Sequence, residues 1–335
     1  MEAGTRSGLH FLWWCVVSNY IIRRILLNFL VLWMVVTLVF MSVRALPGNF
    51  VANQLATNLG LGDNRAAVEE AKKSLGLDKP LWKQYVEFMG ELVTGDLGTS
   101  YETHRTTWSE VRDRIPYTLE LGVLITLFSF SVSIPVGIIS AVKQNTWIDY
   151  LLRGFSILAV ATPVFFVAIL MTLIVLKYSL WTIPIIQRPH FWDSPGEAVR
   201  LYFIPTVAGG LAGGAGIMRL LRSQMLDVLR QDYIRTARAK GLKEQGIWIH
   251  HALKNAMIPV LTVMGLTISG IIGGQIILEN MFNIPGMGQF LFARLLRRDF
   301  PPFQGVVVLI AFTIVSVNLL VDIMYAWLDP RIRYS

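Results

Sequence analysis

The sequence predicts an all-α polytopic membrane protein with six transmembrane helices, and three observations carry that expectation. Of 335 residues, 54% are hydrophobic and only 16% are charged, against about 25% charged in an average soluble protein. Five stretches without Lys, Arg, Asp or Glu are long enough to cross a hydrocarbon core about 30 Å thick at ~1.5 Å of helix rise per residue. The net charge of +8 gathers in connecting segments, as in the cytoplasmic loops of membrane proteins rather than in a nucleic-acid-binding surface.

Residues 1–24 form an N-terminal cytoplasmic or interfacial segment. Within it, Leu9–Ile22 is uncharged but short for a span. It either extends the first membrane helix or lies at the headgroup level, where Trp13, Trp14 and Tyr20 are suited; the interfacial reading is preferred. The first span is Ile25–Val43. Residues 44–117 form a loop carrying short amphipathic helices. Asp63 is placed to cap a helix over Asn64–Leu75, with Glu69 and Lys73 at i,i+4 and Gly76 as its stop. A second helix starts at Pro80 with Leu81, Tyr85, Phe88, Met89 and Leu92 at helical spacing, and Gly95-Asp96-Leu97-Gly98 ends it.

Residues 118–335 form the core, with spans Leu121–Val142, Gly154–Leu176, Leu201–Met218, Asn255–Leu278 and Phe303–Val321. The fourth holds Gly209, Gly210, Gly213, Gly214 and Gly216, which suits a tightly packed interior helix. Orientation follows the basic residues. The connection from Arg219 to Lys254 carries eight basic against three acidic side chains, a net +5. With Arg23 and Arg24 before the first span, and Arg331 and Arg333 after the last, these segments are expected in the cytoplasm. Six spans then place both termini there and residues 44–117 outside. Asp322, at the end of the last span, is expected to pair with Arg331 or Arg333.

Several chemistries are absent. The single cysteine, Cys15, excludes an internal disulfide and a Cys-based zinc site. His10, His104, His190, His250 and His251 show no metal-ligand spacing. The chain has no Gly-Lys dipeptide, so no phosphate-cradling P-loop, and no Gly-x-Ser-x-Gly or His-Glu-x-x-His pattern. No catalytic, cofactor-binding or metal-binding residue is assigned. The span interiors lack ionisable groups, so energy for transport is expected from other subunits.

The informative segment is the basic loop at about residues 222–257. Met225, Leu226, Leu229, Tyr233 and Ala237 recur every three or four positions, predicting an amphipathic helix. Arg238 and Lys240 suit its negative end, and Gly241 is a left-handed stop. A second short helix is expected over Glu244–Ala256. The small residues Thr236, Ala237, Ala239 and Gly241 on one turn would permit close approach of another backbone.

This loop, Tyr233-Ile234-Arg235-Thr236-Ala237-Arg238-Ala239-Lys240-Gly241-Leu242, resembles the EAA loop of permease subunits of bacterial ABC importers of the dipeptide, oligopeptide and nickel type. The opening Glu-Ala of the general pattern corresponds to Arg235-Thr236. Further segments agree: Leu46-Pro47-Gly48, Leu75-Gly76-Leu77-Asp78-Lys79-Pro80, Gly95-Asp96-Leu97-Gly98, Pro116-Tyr117-Thr118-Leu119-Glu120-Leu121, Asn255-Ala256-Met257-Ile258-Pro259, Glu279 with Pro285-Gly286-Met287-Gly288, and Asp322 through Asp329-Pro330-Arg331. The resemblance runs from about Tyr20 to Tyr334.

The resemblance implies a type I ABC importer permease fold in a bacterial or archaeal cell membrane. Its partners would be a second homologous permease subunit, two ABC ATPase subunits carrying ATP and magnesium, and an external solute-binding protein. ATPase docking is implied for Tyr233, Arg235, Thr236, Ala237, Arg238, Ala239, Lys240, Gly241 and Leu242. Peptides are the leading solute class, with nickel chelates, glutathione and oligosaccharides as alternatives. Gln275 and Asn318 are candidates to line the pathway, or to join helices by hydrogen bonds. A self-contained secondary transporter is the rival reading; it predicts intramembrane charges.

Overall fold

Backbone polar groups inside a bilayer must be satisfied within the chain, which favours helices. The computed structural model describes residues 4–45, 69, 73, 76, 78–184 and 188–328, with side chains between Ile22 and Ile323. Among the described residues every extended element is helical, beside one isolated bridge between Thr99 and Thr106. In chain order the helices are α1 (Gly4–Arg44), α2 (Leu81–Val93), α3 (Thr107–Val111), α4 (Ile115–Val142), α5 (Trp147–Ala161), α6 (Val164–Lys177), α7 (Pro195–Leu229), α8 (Asp232–Ala239), α9 (Lys254–Met281), α10 (Met287–Leu296) and α11 (Phe300–Leu328). The five helical stretches long and apolar enough to cross a membrane are Ile22–Arg44, Ile115–Val142, Pro195–Leu229, Glu244–Gly273 and Phe300–Ile323. The pair α5 and α6 makes a sixth if counted as one broken span.

Several expectations are corrected. Helix α1 is continuous, so Leu9–Ile22 extends the first membrane helix; no Gly or Pro interrupts the run from Leu9 to Arg44. The expected third span, Gly154–Leu176, is not one straight helix: α5 and α6 meet at a bend of 108°. Pro163 supplies no N–H and pushes Thr162 into an extended conformation (φ −93°, ψ 125°). A search for uncharged runs passes over such a break. Asp322 accepts from both Nε and Nη2 of Arg24. The expected partners Arg331 and Arg333 lie outside the described residues, as do Leu46-Pro47-Gly48, Asp63 and Asp329-Pro330. Of the predicted helix Asn64–Leu75 only Glu69 and Lys73 are described, both helical. Gly76 then takes φ +62°, the expected left-handed stop.

The chain divides into two units. Unit 1 comprises residues 1–24, 118–284 and 316–335, and its centre is α7, which packs on α5, α6 and α9. Over its apolar window α7 is 56% buried, the most of the five spans. The glycines explain why: an added Cβ would lie 2.8 Å from Ile125 at Gly209, 2.5 Å from Phe128 at Gly210 and 2.3 Å from Ser133 Oγ at Gly214. Gly216 faces open space and takes no part in this packing. Small residues therefore bring α4 against α7, as in other membrane helix pairs.

Unit 2 comprises residues 25–117 and 285–315. Here Arg294 is almost fully buried and is bound by Glu110 through both carboxylate oxygens at 3.0 Å, by Glu102 at 3.0 Å and by Asp299 at 3.1 Å. Asp299 also accepts from Ser100 Oγ at 2.5 Å and the Tyr101 N–H at 2.9 Å. Burial pushes the Tyr101 phenol up to about 12. This network fastens the loop before α4 to α10.

Candidate functional site

The basic turn of unit 1 is built on a stem. Helix α7 does not stop with its apolar stretch but continues to Leu229, carrying the apolar residues Leu221, Met225 and Val228. The single predicted amphipathic helix is two: the chain breaks at Arg230 and Gln231 and restarts as α8. Ile234 and Ala237 of α8, with Ile247 and Ala252 beyond it, are buried against Ile217, Leu221, Met225 and Val228. Those contacts hold the turn against its stem.

The end of α8 is a Schellman turn. The Gly241 N–H donates to the Arg238 carbonyl at 2.9 Å and the Leu242 N–H to the Ala237 carbonyl at 3.3 Å. Gly241 sits at φ +75°, where a side chain costs roughly 1–2 kcal/mol for most residues. An added Cβ there would meet nothing within 4 Å, so the constraint lies in the backbone. Arg238 Nε donates to Glu244 Oε1 at 2.8 Å, and Trp248 Nε1 donates to Glu244 Oε2 at 3.0 Å. Asn255 Nδ2 donates to the Tyr233 hydroxyl at 2.9 Å, tying the start of α8 to α9.

The sequence-predicted residues divide sharply. Tyr233, Arg235, Thr236, Arg238, Ala239, Lys240, Gly241 and Leu242 are exposed, and Ala237 is not. Its methyl group points into the chain's own core, so its small size serves internal packing. The expected second helix over Glu244–Ala256 is no separate element either. A short α turn (Glu244–Gly246) leads into a π-helical stretch (Ile247–Leu253) that runs on into α9. No Gly or Pro separates Ile247 from Pro259, so nothing ends the helix before the membrane.

Sequence reasoning missed what fixes the stem. Arg222 donates Nε to Asp149 Oδ1 and Nη2 to Asp149 Oδ2, both at 2.8 Å. Asp149 is fully buried and also accepts from Ser140 Oγ at 2.6 Å and the Asn145 N–H at 3.0 Å. Four hydrogen bonds thus hold the first turn of α5 and the end of α4 to α7. A signal existed: Asp149 is the only acidic residue between Glu120 and Asp193.

The two candidate pathway residues lie in helix-to-helix hydrogen bonds. Gln275 is buried, and its amide donates to the Thr118 carbonyl at 2.8 Å and accepts from the Gly122 N–H at 3.3 Å. It also borders a cavity of about 260 Å³ with Gly209, Gly213 and Thr267. Asn318 accepts from Ser269 Oγ. Beside Gln275, the buried Glu279 accepts from Thr118 Oγ1 at 2.7 Å. Among the described residues no group of three or more His, Cys, Asp or Glu side chains is placed to hold a metal ion.

An all-α chain with several apolar spans and an exposed basic turn packed on a helical stem has the form of a polytopic membrane protein. Residues 133–334 match the family of binding-protein-dependent transport system inner membrane components, and residues 17–122 match the N-terminal family of such membrane components. The chain is 37% identical to the dipeptide transport system permease protein DppB of Escherichia coli K12, over 95% of this chain and 99% of that protein. It is 36% identical to the DppB protein of Alkalihalophilus pseudofirmus (94% and 99%) and 35% identical to the oligopeptide transport system permease protein AppB of Bacillus subtilis (95% and 100%). This chain belongs to the binding-protein-dependent transport system inner membrane component family. It is a multi-pass membrane permease subunit of the ABC importer type, a component distinct from the ATPase.

Proposed function

We propose that this chain forms half of the translocation pathway of an ATP-driven importer of di- or oligopeptides. A second homologous permease subunit supplies the other half, an external solute-binding protein delivers the peptide, and two ABC ATPase subunits bind ATP and magnesium. Both termini and the turn around Gly241 lie in the cytoplasm. The peptide class follows the names of the relatives, which are similar over almost their whole length.

The observation that carries the docking role is the division of the turn into an anchored and an open face. Ile234, Ala237, Ile247 and Ala252 are buried in the stem, while Arg235, Thr236, Ala239, Lys240 and Leu242 are exposed. A knob held this way moves its stem when it is moved. ATP binding shifts the permease only if the closed ATPase pair prefers one permease conformation, so the turn must transmit a difference in affinity. The Arg222–Asp149 pair gives that motion a route from α7 to α5.

The test is a bulky residue on the open face. Ala239→Trp adds volume at an exposed position, so the variant is expected to insert normally. It should lose the ATPase subunits on co-purification and lose ATP-driven uptake. Normal uptake and co-purification would overturn the docking role.

A further inference from the structure

Helix α2 has three sectors. Its Tyr85 hydroxyl shares a hydrogen bond with Thr37 Oγ1 at 2.8 Å. The Phe40 ring packs 5.3 Å from Tyr85 and 5.5 Å from Phe88. Gln84 and Leu92 fall on this same protein-facing side. Lys83, Glu87 and Glu91 make a second, charged sector. The third sector is apolar and uncovered: Trp82, Val86 and Val93 are 69%, 60% and 84% exposed. At about 100° per residue these three fall within an arc of roughly 40°.

The contacts of α2 fix its level. The apolar stretch of α1, Ile22–Arg44, has 23 residues, about 35 Å of helix against a hydrocarbon core of about 30 Å. Thr37 and Phe40 lie roughly 10 and 6 Å short of Arg44 along the axis, inside the span. An element packed on those turns sits at the edge of the bilayer, not free in water. The exposed face of α1 next to it is itself apolar, with Leu38 68% and Met41 47% exposed. Trp82 is followed by Lys83, and a tryptophan with a neighbouring lysine is a usual composition of a membrane-interface anchor; Lys79 is instead paired with Glu87 at 2.8 Å.

We infer that α2 is a membrane-interface helix whose Trp82–Val86–Val93 stripe is covered by lipid, continuing the lipid-facing surface of the first span. Its Lys83–Glu87–Glu91 sector faces the aqueous side. The inference rests on the first helix crossing a bilayer and is independent of which solute the importer carries.

The test uses site-directed nitroxide labelling of the full chain, with the subunits that co-purify with it, in phosphatidylethanolamine–phosphatidylglycerol vesicles. In a Cys15→Ser background, single cysteines replace Trp82, Val86, Val93, Lys83 or Glu87, and collision rates with oxygen and a water-soluble nickel chelate are compared. The oxygen-to-chelate ratio should be severalfold higher at Trp82, Val86 and Val93 than at Lys83 and Glu87. Equal ratios at all five positions would overturn the inference in favour of a water-facing surface. Shielding of the stripe from both reagents would overturn it in favour of a protein partner.

Discussion

Removing Arg222 leaves the Asp149 carboxylate fully buried with only Ser140 Oγ and the Asn145 N–H as described donors besides the distant Arg153. Removing Asp149 is milder, because the Arg222 side chain is 19% exposed and reaches water. Breaking a buried pair by deleting the compensating charge costs about 3–5 kcal/mol. Arg222→Met is therefore expected to melt well below Asp149→Asn, followed by tryptophan fluorescence in detergent, with the double variant recovering part of the loss. Equal melting of the two single variants would show that the pair carries no such asymmetry. At Gly241 the backbone decides. Gly241→Asn, which tolerates a left-handed conformation, should retain uptake better than Gly241→Val, whose β-branched side chain does not. Residues of this kind were only partly legible. The Gly241 stop has a local signature in the sequence, a glycine directly after basic residues at a helix end. The Asp149–Arg222 and Arg24–Asp322 pairs join positions far apart in the chain, and no local pattern announces which charges meet.

Among the elements, α7 was legible as an interior helix because a cluster of glycines in a span suits close helix packing. Individual glycines were not, since periodicity says nothing of which face meets α4. The structure separates them. Gly214→Ala drives a Cβ to 2.3 Å from Ser133 Oγ and 3.1 Å from the Ser129 carbonyl, an overpacking cost of about 1–3 kcal/mol. Gly216→Ala meets nothing within 4 Å and should be neutral, or stabilising by roughly 0.5–1 kcal/mol, the helix preference of Ala over Gly. Thermal melts of the two variants should move in opposite directions or leave Gly216→Ala unchanged; a larger loss at Gly216 would contradict this packing. The break at Pro163 and the π-helical stretch Ile247–Leu253 escaped a reading based on charge and apolarity. Both concern how the backbone is hydrogen-bonded, to which average hydropathy is blind.

For the whole molecule, composition pointed away from a soluble protein, and the long uncharged runs that a bilayer demands made the membrane class legible. Four of the five long spans are less than a third buried over their apolar windows, and the window of the last is only 6% buried. In the proposed assembly, lipid and further subunits cover the rest. In that assembly, peptide movement is driven through the turn at Gly241 by separate ATPase subunits. The most direct measurement is uptake of a labelled dipeptide into vesicles holding this chain, its co-purifying subunits and the external binding protein. Uptake is expected to require ATP and the binding protein and to be abolished by Ala239→Trp while membrane insertion is unchanged. Uptake by this chain alone, without ATP, would contradict it and make the chain a self-contained transporter.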